Sequence, residues 1–546
     1  MIDQTGELIP LGVTVDPEQA DSALQEGTGN RARLGMAALA LIPIGLLFFL
    51  YLRVADTQAV NSDGANNALQ AWDMLHGHLL LHNWVIGDAT YYTFELPLFA
   101  LCEAVFGLGS VAVHVADAIV YLSVAAMAAL LACRGARGRT AVVRCGIVAA
   151  MLGVPISVST VIVMLYAPDH IGTCAILLGA IYLTEAASDG AVGRRRYLPV
   201  WLGVVLTLGQ LGDQTVLYVG TLSILVISGY RMALRRGVRN LDGALFLAAA
   251  LSYPAALLLR ELTRLLGGYT MVPPLTTISP MSLWWTNAKY TWGNLGQIFG
   301  INPGSVVNSP VAGLATVLGS IGAVATVLGF VLVVARWRTV GRGPQILCIA
   351  ILANLGTYIV SSIPNQGNAR EVVFTLPAGA VLAAWAWPGR IPDRRWIAVP
   401  MAAVLAAAAF IPASVVAAQP IANPRDAVLA TWLKAHGLTY GIGGYWDSSS
   451  VAVESNNAVD VRAVWLYQGR FLGYSWEARS DWYDPATHYA DFYIAQEGSP
   501  ALVITPAEVE QVYGPPAATY VVATRVILVY HKNLLDQVKP LVPGTG

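Results

Sequence analysis

The chain is 546 residues long, 56% hydrophobic and only 12% charged, with a formal net charge of −1. A soluble globular chain carries about a quarter of its residues as charges, so that class is excluded and a polytopic membrane protein is indicated. The charge balance leaves no basic footprint for nucleic acid, and Cys102, Cys133, Cys145, Cys174 and Cys348 form neither a disulfide framework nor a CxxC metal spacing.

Residues 1–33 are polar, acidic and Gly-rich, which predicts a disordered tail. They lack the basic start of a cleavable signal peptide, so the first apolar run is expected to stay as a membrane helix. Runs able to cross about 30 Å of hydrocarbon lie at 34–52, 111–132, 145–165, 171–187, 198–212, 214–230, 241–260, 311–335, 345–363, 372–387 and 396–418. The expectation is therefore about eleven transmembrane helices.

Arginines mark alternate loops: Arg134, Arg137, Arg139 and Arg144; Arg194 to Arg196; Arg231, Arg235, Arg236 and Arg239; Arg336, Arg338 and Arg342; Arg390, Arg394 and Arg395. Positive loops stay in the cytoplasm. That alternation makes 96–108 an interfacial segment and splits 198–230 into two helices broken at Gly212 and Asp213, because any other count puts arginine clusters outside. The tail is then cytoplasmic, 34–419 is the transmembrane domain with outer loops 53–110 and 261–310, and 420–546 is a soluble extracytoplasmic domain. Its helical pattern around Asp426, Leu429, Trp432 and Leu433, followed by strand-like runs at Ser450 to Val453, Val459 to Trp465 and Tyr520 to Tyr530, predicts an α/β fold. The arginine-rich basic composition, with only Lys289, Lys434, Lys532 and Lys539 as lysines, and the Ala and Gly excess point to a high-GC bacterial source.

In chain order, Ser62 or Asp63 can cap a helix whose apolar stripe is Ala65, Leu69, Trp72 and Leu75. A carboxylate at the mouth of a membrane cavity is also a candidate general base, since exclusion of water raises a carboxylate's proton affinity. His76, His78 and His82 lack the spacing of a closed zinc site. Asp169 and His170 follow Tyr166-Ala167-Pro168 and are either a polar turn or cavity groups. Asp213 is either a helix cap or a cavity acid. Lys289, among Trp284, Trp285 and Trp292, is a candidate phosphate contact or part of an aromatic belt. Arg370 stands in an outer loop otherwise short of positive charge, where a guanidinium fork suits a phosphate or pairs with a loop acid such as Glu371. Trp446, Trp476 and Trp482 of the outer domain can stack on sugar rings or serve as core.

The order of these features resembles GT-C glycosyltransferases, with the aminoarabinose transferases and protein O-mannosyltransferases nearest in pattern. The elements that carry the resemblance are Ser62-Asp63-Gly64, then Ala71-Trp72-Asp73-Met74-Leu75-His76-Gly77, then Phe94-Glu95-Leu96-Pro97 and an interfacial helix ending in Phe106-Gly107. The resemblance implies that Asp63 is catalytic and that the donor is a sugar on a polyprenyl phosphate. It also implies that Glu95 can hold a divalent metal, for which His170 is a further candidate ligand. Leu96 and Leu98 stand where the aminoarabinose transferases have lysine and proline, which leaves sugar and metal open.

The expected function is transfer of a sugar from a polyprenyl-phosphate donor to a hydroxyl of a cell-envelope acceptor, whether glycan, lipid or protein, with inversion and with Asp63 as base. The site groups would be Asp63, Arg370 and Lys289 for base and phosphate, and Glu95, Asp169, His170 and Asp213 as cavity or metal groups. The rival classes are a polytopic carrier or lipid-linked sugar flippase and a non-catalytic glycan-binding scaffold. No repeated half of the carrier kind is present.

Overall fold

The computed structural model describes residues 44–153, 157–165, 169–188, 197–234, 240–272, 276–301, 310–386, 410–422, 425–496 and 504–539, with positions 400, 404 and 407. The expected tail 1–33, Tyr166-Ala167-Pro168, and the arginines at 194–196, 235, 236, 239, 390, 394 and 395 lie outside the described residues.

The chain is a multi-pass membrane protein. Among the described residues seven helices are long and apolar enough to cross a membrane: α4 (Ser110–Ala132), α7 (Ile171–Ser188), α9 (Val216–Leu234), α10 (Asn240–Leu265), α12 (Pro310–Ala335), α13 (Arg342–Val360) and the segment Ala369–Ala386. The last begins with a 3₁₀ turn, Ala369–Val372, and continues as α14, Thr375–Ala386. The remaining expected spans match shorter pieces. These are α1 (Ile44–Ala55), α5 (Arg139–Leu152) with α6 (Val158–Leu165), α8 (Leu198–Gly212), and α15, described over 410–417. The break expected at Gly212 and Asp213 is present, because α8 ends at Gly212 and α9 starts at Val216 with a π-helical stretch through Thr221.

The segment between α1 and α4 carries α2 (Ser62–Leu75) and α3 (Glu95–Phe106). At 12 residues α3 is too short to span. The N-cap of α2 is Asn61, whose side chain accepts from the Gly64 amide at 2.8 Å, and not Ser62 or Asp63 as expected. Capping by Asn61 leaves the Asp63 carboxylate free to face elsewhere. The loop before α12 carries α11 (Met281–Ile298).

The C-terminal domain is β-rich. Its seven-stranded mixed sheet has the order β10-β5-β4-β3-β7-β9-β8, with β3 Tyr440–Gly443, β4 Asp460–Tyr467, β5 Arg470–Gly473, β7 Phe492–Ala495, β8 Ala518–Val522, β9 Arg525–Val529 and β10 Val538–Lys539. α16 (Arg425–Ala435) packs Leu429 and Leu433 into a core with Val459, Val461, Phe492, Ile494 and Ile527. The strand expected at Ser450 to Val453 is instead helix α17, Ser449–Glu454. Ser449 to Val453 are all buried, and α17 packs on both α2 and β4. A short run buried on every side has no period by which a strand can be told from a helix.

A second sheet ties this domain to the membrane part. Its order is β2-β1-β6: β1 (Trp84–Ile86) from the segment between α1 and α4 lies between β2 (Thr270–Met271) from that between α10 and α12 and β6 (Ala478–Arg479) from the C-terminal domain. Beside it Asp73 Oδ2 accepts from Arg479 Nη1 at 2.8 Å and from Trp84 Nε1 at 2.7 Å. Trp482 packs edge-on against Trp84. Three segments far apart in sequence are thereby held beside the C-terminal end of α2. α18 (Pro506–Tyr513) closes the domain and is capped reciprocally by Thr505 and Glu508.

Candidate active site

Asp63 lies in the first turn of α2, where the unpaired amides of the helix favour a carboxylate. Its Oδ2 accepts from Arg370 Nη1 at 3.2 Å, and its Oδ1 accepts from the Tyr445 hydroxyl at 2.6 Å. Arg370, in the 3₁₀ turn ahead of α14, also pairs through Nη1 with Asp169. An arginine has five N–H donors, and both contacts use one nitrogen. The Asp63 side chain is 14% exposed and that of Arg370 34%, so the pair sits at an opening rather than in bulk water.

Tyr445 follows the carboxyl end of the central strand β3, the position from which open α/β sheets present ligand-binding loops. Its turn is anchored by Arg525, whose Nε donates to Asp447 at 2.6 Å. The Tyr445 hydroxyl is also 3.2 Å from Glu477 Oε2, and that oxygen lies 3.1 Å from Asn66 Nδ2. Burial, with the Asp63 charge adding to it, pushes the Glu477 carboxyl up to about 8. Burial and the same two acids keep the Tyr445 phenol well above its usual range, so it remains a donor. Glu477 has φ 52, the left-handed region that non-glycine residues occupy when their surroundings impose it.

On the far side of Arg370, His170 donates through Nδ1 to Asp213 at 2.6 Å and points Nε2 at Glu371, 3.6 Å away. Asp213 also accepts from the Thr173 hydroxyl at 2.6 Å and from the Thr215 amide at 2.8 Å. Burial opposes the imidazolium, but Asp213 and Glu371 outweigh it and hold His170 well above the ordinary histidine value. Asp213, despite burial, is pulled down to about 2 by His170 and its other donors. The pair is ionised at neutral pH, and Asp213 is both a turn-former and a cavity acid.

Three adjoining cavities run through these groups. One of about 450 Å³ is lined by Asp63, Arg370, Tyr445, Trp446, Trp465 and Trp476, among others. One of about 270 Å³ shares Asp63, Arg370 and Trp476 and adds Asp88, Asp169, His170, Glu371 and Glu477. The third, about 180 Å³, shares Asp88, His170 and Glu371 and reaches Asp213, Tyr218 and Asn354.

Structural comparison identifies the architecture. ArnT from Cupriavidus metallidurans in the apo state aligns over 93% of this chain and 100% of its own, with a TM-score of 0.59 and 12% identity. ArnT from the same organism bound to undecaprenyl phosphate aligns over 93% and 99%, with a TM-score of 0.56 and 12% identity. The chain has the GT-C fold. At 12% identity the shared property is the fold. No protein-family model and no curated protein sequence matches the chain.

Within this GT-C frame the expected groups divide. Asp63, Arg370, Asp169, His170 and Asp213 converge on the connected cavities. Lys289 does not. It is exposed on α11 with its ammonium 5.8 Å from the Trp285 ring, lines none of the three cavities, and stands beside the exposed Trp285 and Trp292 as part of an aromatic belt. Trp446 and Trp476 line the cavity at Asp63, and Trp476 rests on Gly87, where a Cβ would come within 2.8 Å of its ring. Trp482 is core: it is buried against Trp84, with the Arg462 guanidinium 3.8 Å over its ring.

The residues present do not fit a bound divalent metal. Among the described residues no three His, Cys, Asp or Glu side chains converge as ligands for one ion. Glu95 is buried, its carboxyl lies against Gly172 of α7, and it lines none of the three cavities. Both ring nitrogens of His170 already face carboxylates. Between Asp63 and Asp169, where a cation would be held, stands the Arg370 guanidinium.

Sequence reasoning missed Tyr445, Glu477 and Asn66. Tyr445 and Glu477 come from the C-terminal domain and act on a residue of the first outer loop, so no local pattern marks them.

Proposed function

We propose that the protein is a membrane glycosyltransferase that moves a sugar from a polyprenyl-phosphate donor to an acceptor hydroxyl, with inversion at the anomeric carbon. The observation that carries the reading is the Asp63 carboxylate. It is held at the meeting point of two cavities by Tyr445, beside an arginine able to meet a phosphate.

In this mechanism the donor phosphate engages the N–H groups of Arg370 that its carboxylate contacts do not use, and draws the guanidinium from Asp63 toward Asp169. The freed Asp63 takes the proton from the acceptor hydroxyl as that oxygen forms a bond to the anomeric carbon. The bond from that carbon to the phosphate oxygen breaks on the opposite face, and its electron pair leaves with the polyprenyl phosphate. Positioning, one base and charge stabilisation suffice for so stable a leaving group. The prenyl chain would lie in the apolar groove of about 610 Å³ between α8 and α10, lined by Val200, Val204, Leu208, Leu247 and Leu251. The fold's relation to ArnT bound to undecaprenyl phosphate supports a lipid-phosphate ligand. The alternating arginine loops support a bacterial plasma-membrane protein with a cytoplasmic N-terminus and an external C-terminal domain.

The test is release of polyprenyl phosphate from polyprenyl-phosphate sugars by the protein in vesicles supplied with cell-envelope acceptors. Release coupled to a new glycosidic bond is expected. Translocation of the intact donor without bond cleavage would contradict the reading and favour a carrier.

A further inference from the structure

The transferase reading leaves the acceptor open, and the cavity at Asp63 narrows it. β4 outruns its neighbour β3, whose register ends at Gly443 opposite Ala463, so beyond that point β4 pairs only with β5 and the two form a hairpin arm, with β10 lying along β5 at Phe471 and Leu472. The arm turns at Gln468 and Gly469, both at positive φ (49° and 71°), the backbone signature of a tight two-residue hairpin. Trp465 and Tyr467 are two apart on β4 and therefore project from the same face. Their rings are nearly parallel, at 16° with centroids 6.2 Å apart. Both are open, Trp465 at 39% and Tyr467 at 52% exposure. Trp465 lines the same cavity as Asp63, with Trp446, Trp476, Tyr474 and Glu508.

We propose that this hairpin arm is a stacking platform for a saccharide, and that the acceptor hydroxyl delivered to Asp63 belongs to a sugar of a glycan chain. The inference rests on the transferase reading for its link to Asp63. The chemistry of the walls selects the class. A pyranose or furanose ring has C–H groups on its faces and hydroxyls on its edge. The electron-rich faces of aromatic rings attract such C–H groups, while Asp63, Arg370, Glu508 and the Tyr445 hydroxyl supply edge hydrogen bonds. A lipid chain would call for a continuous apolar wall, like that of the α8–α10 groove, and the cavity at Asp63 instead interleaves rings with charges. Its volume of about 450 Å³ suits a bound saccharide of one or two units. The outer end of the arm then supports further units, so a chain is favoured over a single sugar.

The full-length protein in nanodiscs is titrated, without donor, with soluble α- and β-linked hexo- and pento-oligosaccharides of four to six units. Serine- and threonine-containing peptides and phospholipid vesicles are titrated in parallel. We expect at least one oligosaccharide to shift the tryptophan emission. Its affinity should fall about tenfold in Trp465→Ala and be largely kept in Trp465→Phe, which retains an aromatic face. Coupling the same oligosaccharide to a lipid or to a peptide distinguishes a free glycan from a carried one. Binding of peptides or vesicles with no oligosaccharide bound overturns the proposal, as does equal oligosaccharide affinity in wild type and Trp465→Ala. Because no donor is present, the platform and the transferase reading fail separately.

Discussion

The Tyr445 hydroxyl donates to Asp63 Oδ1 at 2.6 Å across 382 positions of sequence. A hydroxyl has a single proton to give, so the contact with Asp63 fixes the orientation of that carboxylate and joins the C-terminal domain to the reacting groups. Tyr445→Phe removes the hydroxyl and keeps the ring packed at a tilt near Tyr474, 5.1 Å away. The expected outcome is a fall in kcat of about 10- to 100-fold with an unchanged melting temperature, since the loss is one hydrogen bond to a charged group. An unchanged kcat would remove Tyr445 from the site.

Glu477 gives a pH dependence with a definite sign. Its folded value of about 8 lies above the ordinary carboxyl value near 4.3, so between those limits the folded chain binds more protons than the unfolded chain. Stability from this group is therefore lost as pH rises from about 4 to about 8. Glu477→Gln keeps hydrogen-bonding atoms in place and removes the titration. The variant's melting temperature relative to wild type is expected to climb across that window, as followed by thermal unfolding in detergent. A difference that stays flat from pH 4 to pH 8 would contradict a buried, protonated Glu477.

Asp213 titrates in the opposite sense to Glu477, and His170 in the same sense. Asp213, lowered to about 2, contributes stability that is complete above its unfolded value near 3.9 and lost as pH falls through about 2. His170, raised, contributes stability that is complete below about 6.5 and lost as pH rises through its higher folded value. Asp213→Asn leaves the imidazole facing Glu371 at 3.6 Å alone. A loss of about 3 kcal/mol is expected between pH 4 and pH 6.5, in line with breaking a buried pair. Equal unfolding of wild type and variant in that window would show the pair to be neutral.

Gly172 offers a test of packing behind the site. A Cβ there would meet the Glu95 carboxyl and come within 2.7 Å of the Phe94 ring. Gly172→Ala is expected to cost about 1–3 kcal/mol as overpacking, read by thermal unfolding. A variant as stable as wild type would mean that α3 and α7 are not in register at this point.

The legible parts of this protein were those with a local signature. Span positions followed from apolar runs, and the break at Asp213 followed from the alternation of arginine loops. Arg370 stood out because an outer loop gives an arginine no general reason to be there. Asp63 was visible through its neighbours, but its cap was misread: Asn61, Ser62 and Asp63 are all capping residues, and which one caps is decided by what the others reach. Tyr445 and Glu477 were illegible because their significance is entirely long-range. Helix α17 was misread because complete burial erases periodicity, and Lys289 and Trp482 were left with two roles each because residue type alone does not say which way a side chain faces.

The most direct measurement is the single-turnover rate of sugar transfer from a polyprenyl-phosphate donor by wild type and Asp63→Asn, with donor binding measured on the same preparations. The asparagine keeps the size and an oxygen for Tyr445 but cannot take a proton. The account predicts a rate lowered by about 10²–10⁴-fold with the donor still bound. A variant that transfers at the wild-type rate would contradict it.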